Sequence, residues 1–194
     1  MDLDSFLRDP VSRRRFFHIS GVSVAGGSAV FLAACGDDTK SATVTGHDES
    51  DQADVEILNS ALDLELMAVA AYKAGAAHLR GDVLQLGQQV LEQEQAHADG
   101  LMSAITDAGG TPNKAKSSYA FPALRTQRDV LRFAVDIENT AIAAYIDALP
   151  KLGKGDLRAT VASIVANEAE HVAILLGALG EQQVPGAFVF GTAP

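Results

Sequence analysis

The 194 residues include no tryptophan, a single cysteine and no uninterrupted apolar run of the length that marks a permanent membrane helix. Alone, Cys35 has no partner for an internal disulfide, and neither a four-cysteine zinc site nor a cysteine-ligated electron-transfer centre can be built. Positive charge is scarce as well: 15 Lys and Arg stand against 25 Asp and Glu, a net charge of −10. Neutralising a nucleic-acid backbone needs clustered cations, so that class of partner is excluded. An acidic chain suits a partner that is itself a cation. The apolar share, 47%, is too high for a wholly disordered chain, and the length fits one modest domain with an appendage.

The appendage is N-terminal. Ser12-Arg13-Arg14-Arg15-Phe16-Phe17 precedes a weakly apolar, glycine-bearing stretch that closes on Leu32-Ala33-Ala34-Cys35. Paired arginines ahead of two phenylalanines resemble a twin-arginine export signal, which carries folded proteins across a bacterial membrane. The Leu-Ala-Ala-Cys tetrad resembles a lipobox, so residues 1–34 are expected to be removed and Cys35 to carry a lipid anchor. An incidental cysteine in an uncleaved helix is the alternative. Residues 35–53 read as a flexible acidic tether, with His47 exposed in it, and 54–194 as the folded domain. Removing residues 1–34 takes away four basic and three acidic groups, which leaves −11. The expected location is extracytoplasmic, on the membrane through that lipid.

Beyond residue 54, apolar residues recur at spacings of three and four, and no useful strand alternation appears. Four helices are predicted: about Asp54 to Arg80, Asp82 to Ala108, Gln127 to Leu149 and Asp156 to Leu179. Asp82 and Asp156 look like N-caps, and Gly180 closes the last helix. Between the second and third helices, Gly109 to Thr126 carries Pro112 and Pro122 and is a connection long enough to span a bundle. The two halves repeat each other. Asp63, Glu65 and Tyr72 match Asp136, Glu138 and Tyr145, and Gly81, Asp82, Glu94 and His97 match Gly155, Asp156, Glu168 and His171. The fold class is therefore all-α: a four-helix bundle of two antiparallel pairs joined by a long crossover.

Each helix has one glutamate inside its apolar stripe: Glu65, Glu94, Glu138 and Glu168. Taking an ionised carboxylate out of water costs several kcal/mol, so four in one small core need a positive partner. The midpoint of Glu65 and Glu94 falls beside Gly81, and that of Glu138 and Glu168 at Gly153, both at hairpin turns. At a rise of about 1.5 Å per residue all four glutamates lie roughly 21 Å from a turn, on one level. His97 and His171, three residues after their glutamates, share that face. Four carboxylates and two imidazoles suit two divalent ions of the Fe or Mn kind, the constellation of di-iron and di-manganese carboxylate bundles. A metal-free core with some carboxyls protonated is the alternative.

These residues resemble the ferritin-like superfamily over roughly residues 54–190, more closely its exported ferritin-like domain proteins, some described as desiccation-related, and more distantly bacterioferritin and rubrerythrin. The resemblance implies that Glu65 and Glu138 are terminal ligands, that Glu94 and Glu168 bridge the ions, and that His97 completes one site and His171 the other. It implies a di-iron protein, with manganese as the rival, that reacts with O2 or H2O2 as a ferroxidase or peroxide scavenger. A non-catalytic metal-binding or stress-protective role is the alternative from another class. No Cys-x-x-Cys module of the rubrerythrin kind is present, and neither Met67 nor Met102 aligns with a haem-binding methionine. A lipid anchor and tether sit badly with a closed storage cage, although a smaller homo-oligomer stays open.

Tyr72 and Tyr145, two turns after Glu65 and Glu138, can reach ligand carboxylates or simply pack as core. Gln93 and Asn167 are candidates to orient a histidine on a neighbouring helix. Asp63, Asp136, Glu92, Glu170 and His78 read as solvent-facing. The tail Val184 to Phe190 is expected to cover a groove of the bundle, with partner docking as the alternative.

Overall fold

A computed structural model of the chain describes residues 47–191, with side chains from residue 51. The export signal, Cys35 and the tether as far as residue 46 lie outside the described residues, as does the side chain of His47. Four helices form, α1 His47–Gly75, α2 Gly81–Asp107, α3 Gln127–Ala148 and α4 Gly155–Leu179, with short 3-10 turns at Ala76–His78 and Leu149–Lys151. No strand occurs among the described residues. α1 pairs with α2 and α3 with α4, and α1 and α3 also lie side by side. The crossover leaves the end of α2 near Val55 and reaches the other end, where Gln127 Oε1 accepts from Arg80 N at 3.1 Å.

The boundaries follow local chemistry that the sequence shows only in part. Asp82 and Asp156 do not cap their helices. Arg80 and Lys154 occupy the N-cap positions without side-chain hydrogen bonds to the helix, and the two aspartates fall in the first turn, where negative charge complements the helix dipole. α3 opens on a capping box: Thr126 Oγ1 accepts from Asp129 N, and Asp129 Oδ2 accepts from Thr126 N at 2.9 Å. Gly180 ends α4 as expected, at φ +77°, with Glu181 N donating to Leu176 O at 2.9 Å. Gly75 matters for a different reason. A Cβ there would lie 2.6 Å from Val130 Cγ1, so only glycine lets α1 and α3 approach this closely without displacing the valine.

α1 begins earlier than Asp54, so the last residues expected in the tether are helical. Asp54 explains why the helix holds there. Its carboxylate is buried and accepts from Gly153 N at 2.7 Å and Lys154 N at 3.3 Å, which pins the start of α1 to the start of α4. Asp51 Oδ1 adds an ion pair with Lys154 Nζ at 2.8 Å. Asp54→Ala leaves the two part-buried amides without their charged acceptor. It is expected to cost about 1–3 kcal/mol, read as a lower midpoint in urea, with Asp54→Asn recovering part of the loss.

The crossover is tied to α1. Asn59 Oδ1 accepts from Asn113 N at 2.7 Å, and Asp63, expected to face solvent, is half-buried and accepts from Asn113 Nδ2 at 3.1 Å. Phe121 then packs on Phe133 over the α1–α3 seam with Ala68, Ala71 and Ile137. The tail runs along α3 and α4 and walls a cavity of about 310 Å³ with Ala169, Val172, Ala173 and Leu176. It does not bury its own bulk: Val184, Phe188, Val189 and Phe190 are exposed.

The apolar interior is in two blocks. Leu58, Leu62, Leu101, Ile105, Val161 and Ile164 fill one end, and Val90, Leu131, Val135, Leu175 and Leu176 fill the other. Along every helix the inward glutamate lies between residues of the two blocks. α4 is long and apolar enough to cross a membrane by length and composition, yet it carries buried Glu168 and His171 at mid-length.

Candidate metal centre

Glu65, Glu94, Glu138, Glu168 and His171 are each 1% exposed or less, and His97 is 12% exposed at its side chain. The structure brings all six together. They form two overlapping groups, Glu65, Glu94, His97 and Glu168 on one side and Glu94, Glu138, Glu168 and His171 on the other. Within each group one donor atom per residue lies within 4.8 Å of every other. Glu94 and Glu168 belong to both. His97 Nδ1 lies 2.9 Å from Glu168 Oε1 and 3.6 Å from Glu65 Oε2. His171 Nδ1 lies 2.9 Å from Glu94 Oε1, 3.1 Å from Glu168 Oε2 and 3.8 Å from Glu138 Oε1.

Short contacts are not the same as satisfied ones. Glu65 Oε2, Glu94 Oε1, Glu138 Oε2, Glu168 Oε1 and His97 Nδ1 are buried with no hydrogen-bond partner, one such atom on each of those five residues. Leaving a buried polar atom unpaired costs about 1–3 kcal/mol, so five in one spot need a common partner. Lone pairs of oxygen and imidazole nitrogen converging on a dry space are what two divalent cations need. The donor set, oxygen-rich with one imidazole per group, fits Fe or Mn better than a soft, thiolate-seeking ion.

The tyrosines reach carboxylates of the opposite half. Tyr72 Oη, on α1, donates to Glu138 Oε1 on α3, and Tyr145 Oη, on α3, donates to Glu65 Oε1 on α1. Each leaves the other oxygen of its carboxylate turned toward the donor cluster. The sequence offered both tyrosines as carboxylate partners but not which carboxylate each reaches, because the repeat's constant offset carries no register between α1 and α3. The repeat shows the seven-residue spacing, but not that α1 and α3 face each other.

Gln93 and Asn167 part company. Gln93 Oε1 lies 2.8 Å from His171 Nε2, whereas Asn167 donates along its own helix to Glu170 at 3.3 Å and orients no histidine. Asp136, Glu92 and Glu170 are exposed, as expected, and His78 is half-buried.

Crowding like charges in a dry layer redistributes protons. Burial pushes the Glu94 carboxyl up to about 8, and burial together with neighbouring carboxylates pushes Glu138 well above the usual range. Burial works against charge on Glu168 too, but the hydrogen bond from His171 and the close His97 imidazole outweigh it and bring that group down to about 2. The imidazoles move oppositely: burial would lower them, yet their carboxylate neighbours hold His97 at about 10 and His171 at about 12. Burial also raises both tyrosines, so each stays a donor.

A bundle with a carboxylate and imidazole layer at mid-height defines a class of metal-binding four-helix protein. The family assignment is direct: residues 53–181 match the family model described as ferritin-like domain, and the chain belongs to that family. No curated protein matches it significantly. Among solved structures it is similar to a dodecameric thioferritin, a bacterioferritin-related protein from Bacteroides fragilis, at 26% identity and TM-score 0.60. That match covers 67% of this chain and 86% of the other. It is also similar to a structure described as ferritin-like, diiron-carboxylate proteins from Bacillus anthracis, at 25% identity and TM-score 0.59, over 67% of this chain and 97% of the other. A conserved hypothetical protein from Mycobacterium tuberculosis shares the fold at 22% identity and TM-score 0.63, over 73% and 99%.

Proposed function

We propose that the centre holds two divalent ions, iron foremost, and passes electrons to O2 or H2O2 in the manner of a ferroxidase or peroxide scavenger. The observation that carries this is the set of buried, partnerless donor atoms shared between two groups, with Glu94 and Glu168 common to both. The diiron-carboxylate description of the Bacillus anthracis neighbour supports iron. An ion pair held there would supply two electrons to O2 or H2O2. The chain's own residues do the rest. Glu94 and Glu168 set the spacing, and Glu65 and Glu138 each keep one oxygen on a tyrosine and turn the other inward. The apolar blocks above and below exclude water, and the tyrosine hydroxyls hold protons within reach of Glu65 and Glu138.

The setting belongs to the same proposal. Residues 1–34 are a twin-arginine lipoprotein signal, Cys35 carries the lipid, and the domain works outside the cytoplasm as an exported, desiccation-type ferritin-like protein. The folded-state export route suits a protein whose ions are loaded before translocation. Assembly into a homo-oligomer is supported by the dodecameric state named for the Bacteroides fragilis neighbour. Adding Fe(II) to the metal-free protein in air tests the core of the reading. Rapid oxidation, abolished by Glu94→Ala with helicity intact, is the expected result. Tightly held iron without turnover would overturn the redox role and leave a metal-stabilised structural protein.

A further inference from the structure

We propose that the two metal positions are unequal: Gln93 locks the His171 position into a tight site, and the His97 position is the labile one through which ions enter and exchange. This rests on the proposed binding of two ions. The sequence repeat places Gln93 and Asn167 at equivalent points, each immediately before a glutamate shared by both groups. Their side chains do different things. With its Nδ1 facing Glu94 and Glu168, the His171 ring presents Nε2 to Gln93 Oε1 at 2.8 Å. Nε2–H then donates to that oxygen, which fixes the tautomer with the Nδ1 lone pair toward the ion and stops rotation of the ring. Asn167, one methylene shorter, turns to Glu170 instead. His97 Nε2 has no acceptor among the described residues.

Exposure points the same way. His171 is 1% exposed and His97 12%, so solvent touches the ring of His97 and not that of His171. A hydrogen bond to the far nitrogen of a ligating histidine is worth about 10–100-fold in metal affinity. One position has that support and a dry ceiling. The other has neither.

Anaerobic calorimetric titration of the full metal-free chain with Fe(II) tests the proposal, with release to a chelator followed in parallel. Two steps at least about tenfold apart in affinity are expected, the weaker ion leaving first. Gln93→Leu, which keeps the volume and removes the acceptor, should weaken the tight step by about 10–100-fold and spare the loose one. Gln93→Glu, which keeps an acceptor oxygen, should restore it. Asn167→Gln should tighten the loose step and slow its release by supplying His97 with the missing acceptor. Two equal steps in the parent chain, or a Gln93→Leu change that falls equally on both steps, would overturn the proposal while leaving the function intact. Absence of any binding would overturn the function and this proposal together.

Discussion

Glu168→Ala strips several kcal/mol from the metal-free protein, whereas Glu94→Gln leaves its stability nearly unchanged, although the two residues hold the same position in the repeat. Glu168 is the carboxylate that both histidines lean on, at 2.9 and 3.1 Å, and those two close imidazoles keep it ionised against its burial. Removing it leaves two buried imidazolium rings short of their principal counter-charge. Breaking a buried pair by deleting one partner costs about 3–5 kcal/mol. Glu94 differs because burial pushes it up to about 8, so at pH 7 it is a neutral acid. An amide copies a neutral acid in shape and polarity, and the expected change is under about 1 kcal/mol. Both variants nevertheless lose paired metal loading, since alanine offers no oxygen and the glutamine amide only one, where the two groups share a carboxylate. Urea unfolding of the metal-free proteins, with iron counted per chain after reconstitution, checks both halves. Equal loss of stability in the two variants would show that the protons are not distributed as described.

How far the sequence discloses this protein depends on the length scale of each feature. The layer of carboxylates and imidazoles was legible because burying a charged group is costly: Glu65 between Leu62 and Ala68 on an otherwise apolar face already demands a partner. The helical rise then fixes its height from nearby turns. Pairing within a hairpin is local and was also readable. The Tyr72–Glu138 and Tyr145–Glu65 bonds were not, because they depend on the α1–α3 register, set by Gly75 against Val130 and by the crossover that returns α3 to the far end. Asp54 was misjudged for a related reason. An aspartate ahead of a helical stripe reads as the start of that helix, and nothing local shows that its carboxylate receives the Gly153 and Lys154 amides of another helix's entrance. Asp82 and Asp156 show the converse error. Each has the composition of a cap, yet the chain enters the helix one residue earlier, at Gly81 and Gly155. Gln93 and Asn167 could be nominated but not separated, since one methylene decides which of them spans the gap to a histidine.

Loading two divalent ions at pH 7 is expected to release about three protons per chain or more. In the metal-free layer burial raises Glu94 to about 8 and Glu138 well above the usual carboxylate range, and carboxylate neighbours hold His97 at about 10 and His171 at about 12. Glu94, His97 and His171 each carry a proton at pH 7 that a coordinated donor atom cannot keep, and the upward shift of Glu138 acts in the same direction. The protonic charge that leaves offsets most of the metal charge that arrives, so the dry layer stays near electrostatic balance. The same shifts fix the direction of the pH dependence. For a group whose folded value is raised, the stability it contributes is full below its ordinary value and lost as pH rises through the folded one. For Glu94 that loss runs from 4.5 to about 8, and for His97 from 6.5 to about 10. Glu168 has the opposite sign, but its window lies between 4.5 and about 2, well to the acid side. The metal-free protein should therefore melt at a lower temperature at pH 9 than at pH 6. Metal affinity should climb steeply over the same range, because fewer protons remain to be displaced. Calorimetric titration in two buffers of different ionisation enthalpy counts the protons directly. Release of one or none would mean that the carboxyls are already ionised and the imidazoles already neutral. The layer would then be held together by something other than the protons assigned to it.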